Sequence, residues 1–511
     1  MEFRYKKLVS VLCGVFSLGG YAQTKDTLSF YNKIENQYSA ERVFSESFFT
    51  NKARMTVYSD LSFSELGVNY QQDKKDAYVL QDGDGLEGFK ISTNSFQRLK
   101  GNKVVWGSAS YMNQRQQNMV WNESLDKDII GPYIVADSVG GTMKQEVYQF
   151  AGGFAKQWNR WVLGGEVNYV AKNGYRQVDP RSKNTSSIFK MDLGIDYNFY
   201  RDYEIGVFGH FNKYTQNSSV KFVSEISKPY VYHMSGLGSY NYFFSGAKDL
   251  VSTFEGFGYN VGATLAKSKN KSFVLQGVIG KFNLTKNKGD SGVDAYDLAK
   301  LETTTYTVSG LKFFDFGQHR VGMKMNYWLK EAIGTEYFYT QNAKIITRLA
   351  EKELYKYIES NFFSELFYQY KDEVNRLVAI PFFGVEQNSE RRKDTFAKQR
   401  FTYIHLGLTI DYMRQISKSG VLNVKPYVKV RNVKESTNKL MDFPSQKGVT
   451  EMLYSNFEVM NANYKQIGLV ARYDLQLEKV PAFYVQAQVE QTKYNINKSN
   501  NYMGVAVGVT F

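Results

Sequence analysis

The sequence predicts an all-β fold, a transmembrane antiparallel β-barrel of about 18 strands, with sixteen as the alternative count. The first observation is a recurrent alternation of apolar and polar residues, which is the period of strands that have two different faces. The second is the composition, with 39 Tyr, 37 Phe and 41 Gly but only 7 Pro in 511 residues. The third is that no apolar run after residue 22 approaches the roughly 18 residues of a membrane helix. Strands that face lipid outward and a lumen inward account for all three observations.

Residues 1–22 have the pattern of a secretory signal peptide. A basic start precedes an apolar run, and Gly20 and Ala22 place small residues where a signal peptidase cuts. The apolar run, of roughly a dozen residues, is too short to span a bilayer. The only cysteine, Cys13, lies in this segment. We therefore expect a mature chain that begins at Gln23 and has no disulfide and no thiolate ligand.

Residues 23–60 differ from the rest of the chain. Apolar side chains recur there at helical spacing, at Leu28, Tyr31, Ile34 and Tyr38. This pattern predicts a short helix in a segment that is either periplasmic or inserted into the lumen. The segment is too small to resemble the folded plug of a TonB-dependent receptor. Residues 61–511 are then predicted to form the barrel.

The barrel strands follow from alternation with a period of two. In residues 189–199, Leu193 and its alternate neighbours are apolar, whereas Asp192 and its alternate neighbours are polar or glycine. A first strand near 61–72 and a last strand at 501–511 bracket eight short turns, which we expect on the periplasmic side. Longer connections are expected outside the cell, at residues 116–146, 173–187, 215–253, 332–352 and 432–463.

The last strand has one fully apolar face, formed by Met503, Val505, Val507, Val509 and Phe511. It resembles the C-terminal signal of bacterial outer-membrane barrels, which the barrel assembly machinery reads. The resemblance implies export to the outer membrane of a Gram-negative bacterium. With its aromatic strands and long loops, the whole chain resembles uncharacterised outer-membrane barrels of Bacteroidota. That resemblance implies two candidate partners, a surface lipoprotein and a TonB-dependent uptake receptor.

The positive net charge of the chain favours anionic partners, and its distribution argues against nucleic acid as that partner. The formal net charge is +14 and is scattered along the chain, so we expect outer-membrane lipid, lipopolysaccharide or an anionic solute as counterpart. The register gives the lumen two candidate walls. An acidic wall on about the fifth to seventh strands comprises Glu166, Asp192, Asp196 and Glu204, and a basic wall on about the fifteenth and sixteenth comprises Lys425, Lys429, Arg431 and Arg472. The walls would face each other across the lumen; alternatively, these residues solvate the lumen or pair with neighbours.

The sequence contains no motif for catalysis, a cofactor or a metal. The four histidines are His210, His233, His319 and His405, and no Ser-His-carboxylate arrangement is evident around them. With no cysteine in the mature chain, little remains for a zinc site. We therefore expect no enzyme activity, cofactor or metal.

Three function classes remain. A channel for small polar solutes, with anions among the candidates, is favoured, because about 18 strands leave room for an aqueous lumen unless something fills it. The second class is a binding or scaffolding barrel that partners a surface lipoprotein or a TonB-dependent uptake receptor. An outer-membrane enzyme is a distant third.

Overall fold

The computed structural model describes residues 28–267, 272–289, 295–343, 345–441, 447–478 and 480–511. Within these residues, the chain forms a closed antiparallel sheet of 18 strands. The predicted signal peptide, with Cys13, lies outside the described residues.

The barrel strands follow each other around the ring in chain order, and the last pairs with the first. They are β1 Phe63–Lys75, β2 Gly85–Leu99, β3 Lys103–Met119, β5 Gly141–Trp158, β6 Trp161–Tyr175, β7 Arg181–Tyr200, β8 Tyr203–Lys221, β11 Leu250–Lys267, β12 Phe273–Lys288, β13 Tyr296–Phe316, β14 His319–Asn342, β15 Ile345–Lys371, β16 Asn375–Arg392, β17 Lys398–Ser417, β18 Gly420–Lys439, β19 Tyr464–Leu475, β20 Ala482–Tyr494 and β21 Ser499–Thr510.

The remaining elements lie before the barrel or in its connections. Three short strands form a second sheet: β4 Val135–Ala136, β9 Tyr232–Gly236 and β10 Ser239–Tyr240. The α-helices are α1 Phe30–Gln37, α2 Ala40–Phe44, α3 Lys127–Ile130 and α4 Lys447–Met460, and the 3-10 helices are Glu46–Phe49, Lys52–Val57 and Leu80–Asp82. No helix among the described residues is long and apolar enough to cross a membrane.

The two ends of the barrel differ in the length of their connections. At one end the turns are short, as at residues 159–160 and 201–202, whereas the other end carries the long connections 120–140, 222–249 and 440–463. In outer-membrane barrels the short-turn end is periplasmic and the long-loop end is extracellular. The predicted strand count, the short turns and the long loops are confirmed.

One predicted loop is wrong. Residues 332–352 are mostly strand, since β14 continues to Asn342 and β15 begins at Ile345. Their backbones pair across a tight hairpin, with Gly334 opposite Tyr355 and Thr340 opposite Thr347. The connection predicted at 173–187 is also shorter, because β7 already begins at Arg181.

The two faces of the barrel differ in polarity. Large apolar side chains are exposed on the outside, among them Leu193 and Val507, which are 56% and 50% exposed. Charged side chains such as Asp196 and Arg376 are buried inside. An apolar outer face around a polar interior is what a membrane-spanning barrel requires. The protein is therefore an outer-membrane type β-barrel.

Candidate functional site

The periplasmic end of the lumen is filled by residues 28–60, here called the N-terminal segment. Helix α1 begins after Ser29, whose hydroxyl accepts a hydrogen bond from the backbone N–H of Asn32 at 3.3 Å. Its buried residues Tyr31 and Ile34 pack on β17 and β18. The 3-10 helix 52–57 lies against β5, β6 and β7. Because these strands are about half the ring away from β17 and β18, the segment crosses the lumen from wall to wall.

An aromatic contact anchors the middle of the segment. The ring of Phe44 lies 5.8 Å from that of Phe313 and 5.0 Å from that of Phe367, centroid to centroid. Phe48 belongs to the same buried cluster. Phe313 lies close to the short turn after β13, so this anchor is at the periplasmic end. Buried aromatic pairs of this kind stabilise beyond the area that they bury.

Cationic and amide side chains of the segment meet the strands that carry the predicted acidic wall. The Lys52 Nζ atom lies 3.1 Å from a carboxylate oxygen of Glu166 and 3.9 Å from one of Asp192. Asp192 also contacts His210, with 2.6 Å between Oδ1 and Nδ1. One lysine of the segment thus lies between two wall carboxylates.

Two further contacts on this side are buried. Arg54 pairs with Glu204, and both side chains are almost inaccessible to solvent. Asn51 donates a hydrogen bond from Nδ2 to Asp196 Oδ1 at 2.6 Å. All four carboxylates of the predicted acidic wall therefore contact three neighbouring residues of the N-terminal segment.

Two glycines permit this close approach. A Cβ atom built on Gly164 of β6 would collide with the backbone carbonyl of Lys52. One built on Gly194 of β7 would collide with the side chain of Asn51. Glycines on the lumen face beside carboxylates are thus the sequence signal that could have predicted where the N-terminal segment packs on the barrel wall.

On the opposite wall the charges are reversed. Glu35 of α1 accepts ion pairs from Lys371 at 2.7 Å and from the fully buried Arg376 at 3.4 Å. Arg376 also pairs with Asp411 of β17 at 3.1 Å. The segment therefore directs a carboxylate toward cations of the barrel here, the reverse of its contacts with β6, β7 and β8.

Glu41 of α2 makes the same kind of contact. Its carboxylate pairs with Arg320 at 2.6 Å and accepts a hydrogen bond from Gln369 at 2.9 Å. The N-terminal segment thus places acidic residues on the β14 to β16 side and basic residues on the β6 to β8 side. Its charge distribution is complementary to that of the lumen.

Several connections fold inward at the extracellular end. Trp121, Ile130 and Tyr133 of connection 120–140 are buried with Tyr232 and Met234 of connection 222–249. Val449, Met452 and Leu453 of α4 join the same buried cluster. This cluster is the largest buried apolar grouping among the described residues, and it lies at the extracellular end of the barrel.

A buried charge cluster fixes connection 120–140. Arg176 pairs with Glu123 and with Asp137, the latter at 2.7 Å. Burial raises the pKa of Glu123 well above its usual range, and the nearby Asp137 adds to this effect. Burial acts in the same direction on Asp137, but the hydrogen bond with Glu123 and the charge of Arg176 outweigh it and lower the pKa of Asp137. One guanidinium thus faces two carboxyl groups whose pKa values are shifted in opposite directions.

A comparison with protein-family models identifies the family of the chain. Residues 52–511 match the model of a family described as a family of unknown function (DUF6850). The chain belongs to that family. No curated protein matches the DUF6850 chain.

Several solved structures are similar to the DUF6850 chain at low scores. The ferric preacinetobactin receptor BauA from Acinetobacter baumannii has 10% identity and a TM-score of 0.38, over 89% of this chain and 80% of that chain. The ferric yersiniabactin uptake receptor FyuA from Yersinia pestis has 8% identity and a TM-score of 0.39, over 88% and 80%. At these values neither similarity carries an argument about function.

In the DUF6850 chain, two residues of the predicted basic wall belong to ion pairs. Lys425 pairs with Asp411 at 3.1 Å. Arg472 pairs with Asp474 at 2.8 Å, and its guanidinium lies 4.2 Å from the ring centroid of Tyr38 in the N-terminal segment. As on the acidic side, charges of this wall pair with neighbours, and Arg472 also contacts the N-terminal segment.

The other two residues of that wall are placed differently. Arg431 lies between the rings of Tyr403 and Tyr464, 4.7 and 4.6 Å from their centroids. It also donates a hydrogen bond to the carbonyl of Ala462 at 2.6 Å, which ties the connection after α4 to the wall. Lys429 lies opposite Gly407 and Gln466 in the register.

The four histidines are scattered. His233 is buried in β9, and His319 Nδ1 lies 3.0 Å from the hydroxyl of Tyr368. His405 Nε2 lies 3.1 Å from a carboxylate oxygen of Glu386. Among the residues that the structure describes, no group of three or more His, Cys, Asp or Glu side chains is placed to hold a metal ion.

Proposed function

We propose that the protein is a gated outer-membrane channel for small polar solutes, and that the N-terminal segment is its periplasmic gate. The observation that supports this proposal is the pairing of the segment with both walls of the lumen, through Lys52, Arg54, Glu35 and Glu41. The lumen of an 18-stranded barrel is wide enough to conduct once such a segment leaves it. The proposal assigns the protein no catalytic step.

The chemistry of these contacts suits a gate better than a permanent core. Lys52, Glu166 and Asp192 each keep about 15% of their side-chain surface accessible. An ion pair that water can reach costs less to separate than a fully buried pair, because water replaces the partner. The aromatic anchor at Phe44 resists displacement more strongly, since its rings would lose buried contacts. Opening would also separate the buried pair of Arg54 with Glu204, so it would require a driving force from outside the segment and would leave a wall that water must solvate.

Recording of ion current in planar lipid bilayers tests whether the N-terminal segment acts as a gate. We expect the full-length protein to give little current and the barrel lacking residues 28–58 to give steady single-channel current. A Lys52→Gln/Arg54→Gln variant should open intermittently, because it keeps the segment but weakens its contacts with Glu166 and Glu204. Lys100→Gln/Arg160→Gln removes two exposed charges from periplasmic turns and is the matched control, with the conductance of the full-length protein.

The folded state of each variant is checked by heat-modifiable migration in gels. A folded barrel without residues 28–58 that carries no more current than the full-length protein would reject the N-terminal segment as the gate. The binding or scaffolding barrel would then be the remaining candidate.

One observation favours that second candidate. Connection 222–249 exposes two large side chains at the extracellular end, with Ile226 fully exposed and Tyr242 72% exposed. Exposed apolar groups of this kind are typical of protein contact sites when they cluster. A surface lipoprotein or an uptake receptor is the class of partner that could dock there.

A further inference from the structure

A row of cations crosses four neighbouring strands near the extracellular end of the barrel. Lys356 of β15 is opposite Arg391 of β16, Arg391 is opposite Lys398 of β17, and Lys398 is opposite Lys439 of β18. Directly opposite residues of an antiparallel sheet lie on the same face, and neighbouring strands are about 4.8 Å apart. The four cations, here called the cation row, therefore form one continuous line on one face.

The cation row lies on the outer face. Arg392, next to Arg391, points inward, where it is buried and pairs with Glu336 at 2.6 Å. Gln399, next to Lys398, is also buried. Because successive side chains alternate, Arg391 and Lys398 must point outward, and both are exposed.

The cation row stands above the lipid-facing band. On the same outer face of β16 and β17, Phe383 and Leu406 are 41% and 47% exposed and belong to the apolar band. Between Phe383 and Arg391 the outward positions are Val385, Gln387 and Ser389, so the surface becomes polar before it becomes basic. The cation row is near the long-connection end, on the extracellular side of the apolar band.

Most of these cations have no acidic partner among the residues that the structure describes. Lys356 pairs with Glu331. Within the described part of the chain, no carboxylate lies within 4.0 Å of the charged nitrogens of Arg391, Lys398 or Lys439. Like charges directly opposite each other destabilise a sheet, so an anionic ligand that bridges them would relieve a repulsion that the protein alone leaves in place.

The acidic side chains nearby have other partners or face other residues. Glu353 pairs with Lys393 at 2.7 Å, and Asp394 pairs with the inward-facing Arg392 at 2.8 Å. Glu435 of β18 is opposite Thr402 rather than opposite a cation. Arg400, two residues from Lys398 on the same face, adds a further exposed cation.

We propose that the cation row binds the phosphate groups of lipopolysaccharide in the outer leaflet. Three features select this occupant: the row is continuous with the lipid-facing wall, it lies on the extracellular side of the apolar band, and it is long enough to meet more than one phosphate. An arginine between lysines suits the task, because guanidinium binds phosphate with two parallel hydrogen bonds. The inference depends on the outer-membrane position of the barrel and not on whether the lumen conducts.

Lipid binding by the full-length protein tests this inference. The purified barrel in neutral detergent is titrated with bisphosphorylated lipid A, and bound lipid is counted by native mass spectrometry. Arg391→Gln/Lys398→Gln/Lys439→Gln should weaken binding by at least about tenfold, since each cation near a charged lipid surface contributes appreciably. Lys100→Gln/Arg160→Gln/Arg201→Gln removes the same number of exposed charges at the periplasmic turns and should bind like the unmodified protein.

A second arm separates phosphate recognition from general lipid affinity. Dephosphorylated lipid A should bind the unmodified protein about as weakly as bisphosphorylated lipid A binds the triple variant. Lys398→Gln alone, at the centre of the cation row, provides the same test if the triple variant does not fold. The inference is overturned if the cation-row variant keeps full affinity, if the periplasmic control loses as much, or if dephosphorylated lipid A binds equally well.

Discussion

At the scale of single residues, Leu193 and Asp192 are neighbours in β7 that face different surroundings. Leu193 is 56% exposed on the outer wall, whereas Asp192 lies in the lumen beside Lys52 and His210. We expect Leu193→Lys to reduce insertion strongly, because a lysine at the bilayer midplane costs about 2–4 kcal/mol. Asp192→Asn should assemble normally. Heat-modifiable migration and abundance in isolated outer membranes measure both effects.

The two substitutions control for each other, because residues 192 and 193 are adjacent in the same strand. Asp192→Asn keeps the size of the side chain and leaves Lys52 a nearby carboxylate in Glu166. If the two changes were tolerated equally, or if Asp192→Asn were the more harmful, the assignment of faces in β7 would be wrong.

The sequence predicts which face of the barrel a side chain lies on better than it predicts which residues that side chain contacts. Period-two alternation is sufficient to place Leu193 outside and Asp192 inside. It cannot show that Glu204 pairs with Arg54 or that Asp196 binds Asn51, because those contacts join distant parts of the chain. Such pairs depend on how the N-terminal segment folds back into the lumen, and no local pattern encodes that path.

At the scale of elements, the last strand closes the ring. The backbone N–H of Phe511 donates to the carbonyl of Ser64 at 2.9 Å, and the N–H of Ser64 donates back at 3.3 Å. We expect deletion of Phe511 to lower the amount of assembled barrel, since it removes both this pair and the terminal aromatic side chain. Phe511→Tyr, which keeps the ring and the backbone, is the control. Normal surface amounts of the deletion variant, measured by surface labelling, would contradict the role assigned to this strand end.

Strand prediction succeeds within the membrane and weakens above it. The last strand was predicted within two residues of its true start, because lipid on one side and the lumen on the other impose strict alternation. Residues 332–352 are predicted as a loop because charged residues interrupt the alternation there, although the inner face of the hairpin is packed, with Ala332 buried. Its pairing, Thr340 with Thr347, is defined by backbone hydrogen bonds instead. Helix α4 lies within the predicted connection 432–463, where the sequence pattern predicts no helix.

At the scale of the whole molecule, the N-terminal segment neutralises the lumen. It presents Lys52 and Arg54 to the carboxylates of β6, β7 and β8. It presents Glu35 and Glu41 to cations on β14, β15 and β16. A transverse field between the two sides would therefore be largely cancelled while the segment is seated and would appear only when the segment leaves. Departure of the gate would change the charge of the pathway as well as its width.

This coupling gives a prediction for the barrel that lacks residues 28–58. Lys425→Gln/Lys429→Gln should shift its reversal potential toward cations, because the unpartnered acidic wall would then dominate the lumen. Glu166→Gln/Asp192→Asn should shift it toward anions. Both shifts should shrink at high salt, since wall charges act over a Debye length of about 8 Å at physiological ionic strength. Arg431 is left unchanged, because it holds the carbonyl of Ala462 and its loss would disturb the extracellular connection. If neither pair of substitutions moved the reversal potential in a conducting barrel, ions would not pass between these walls.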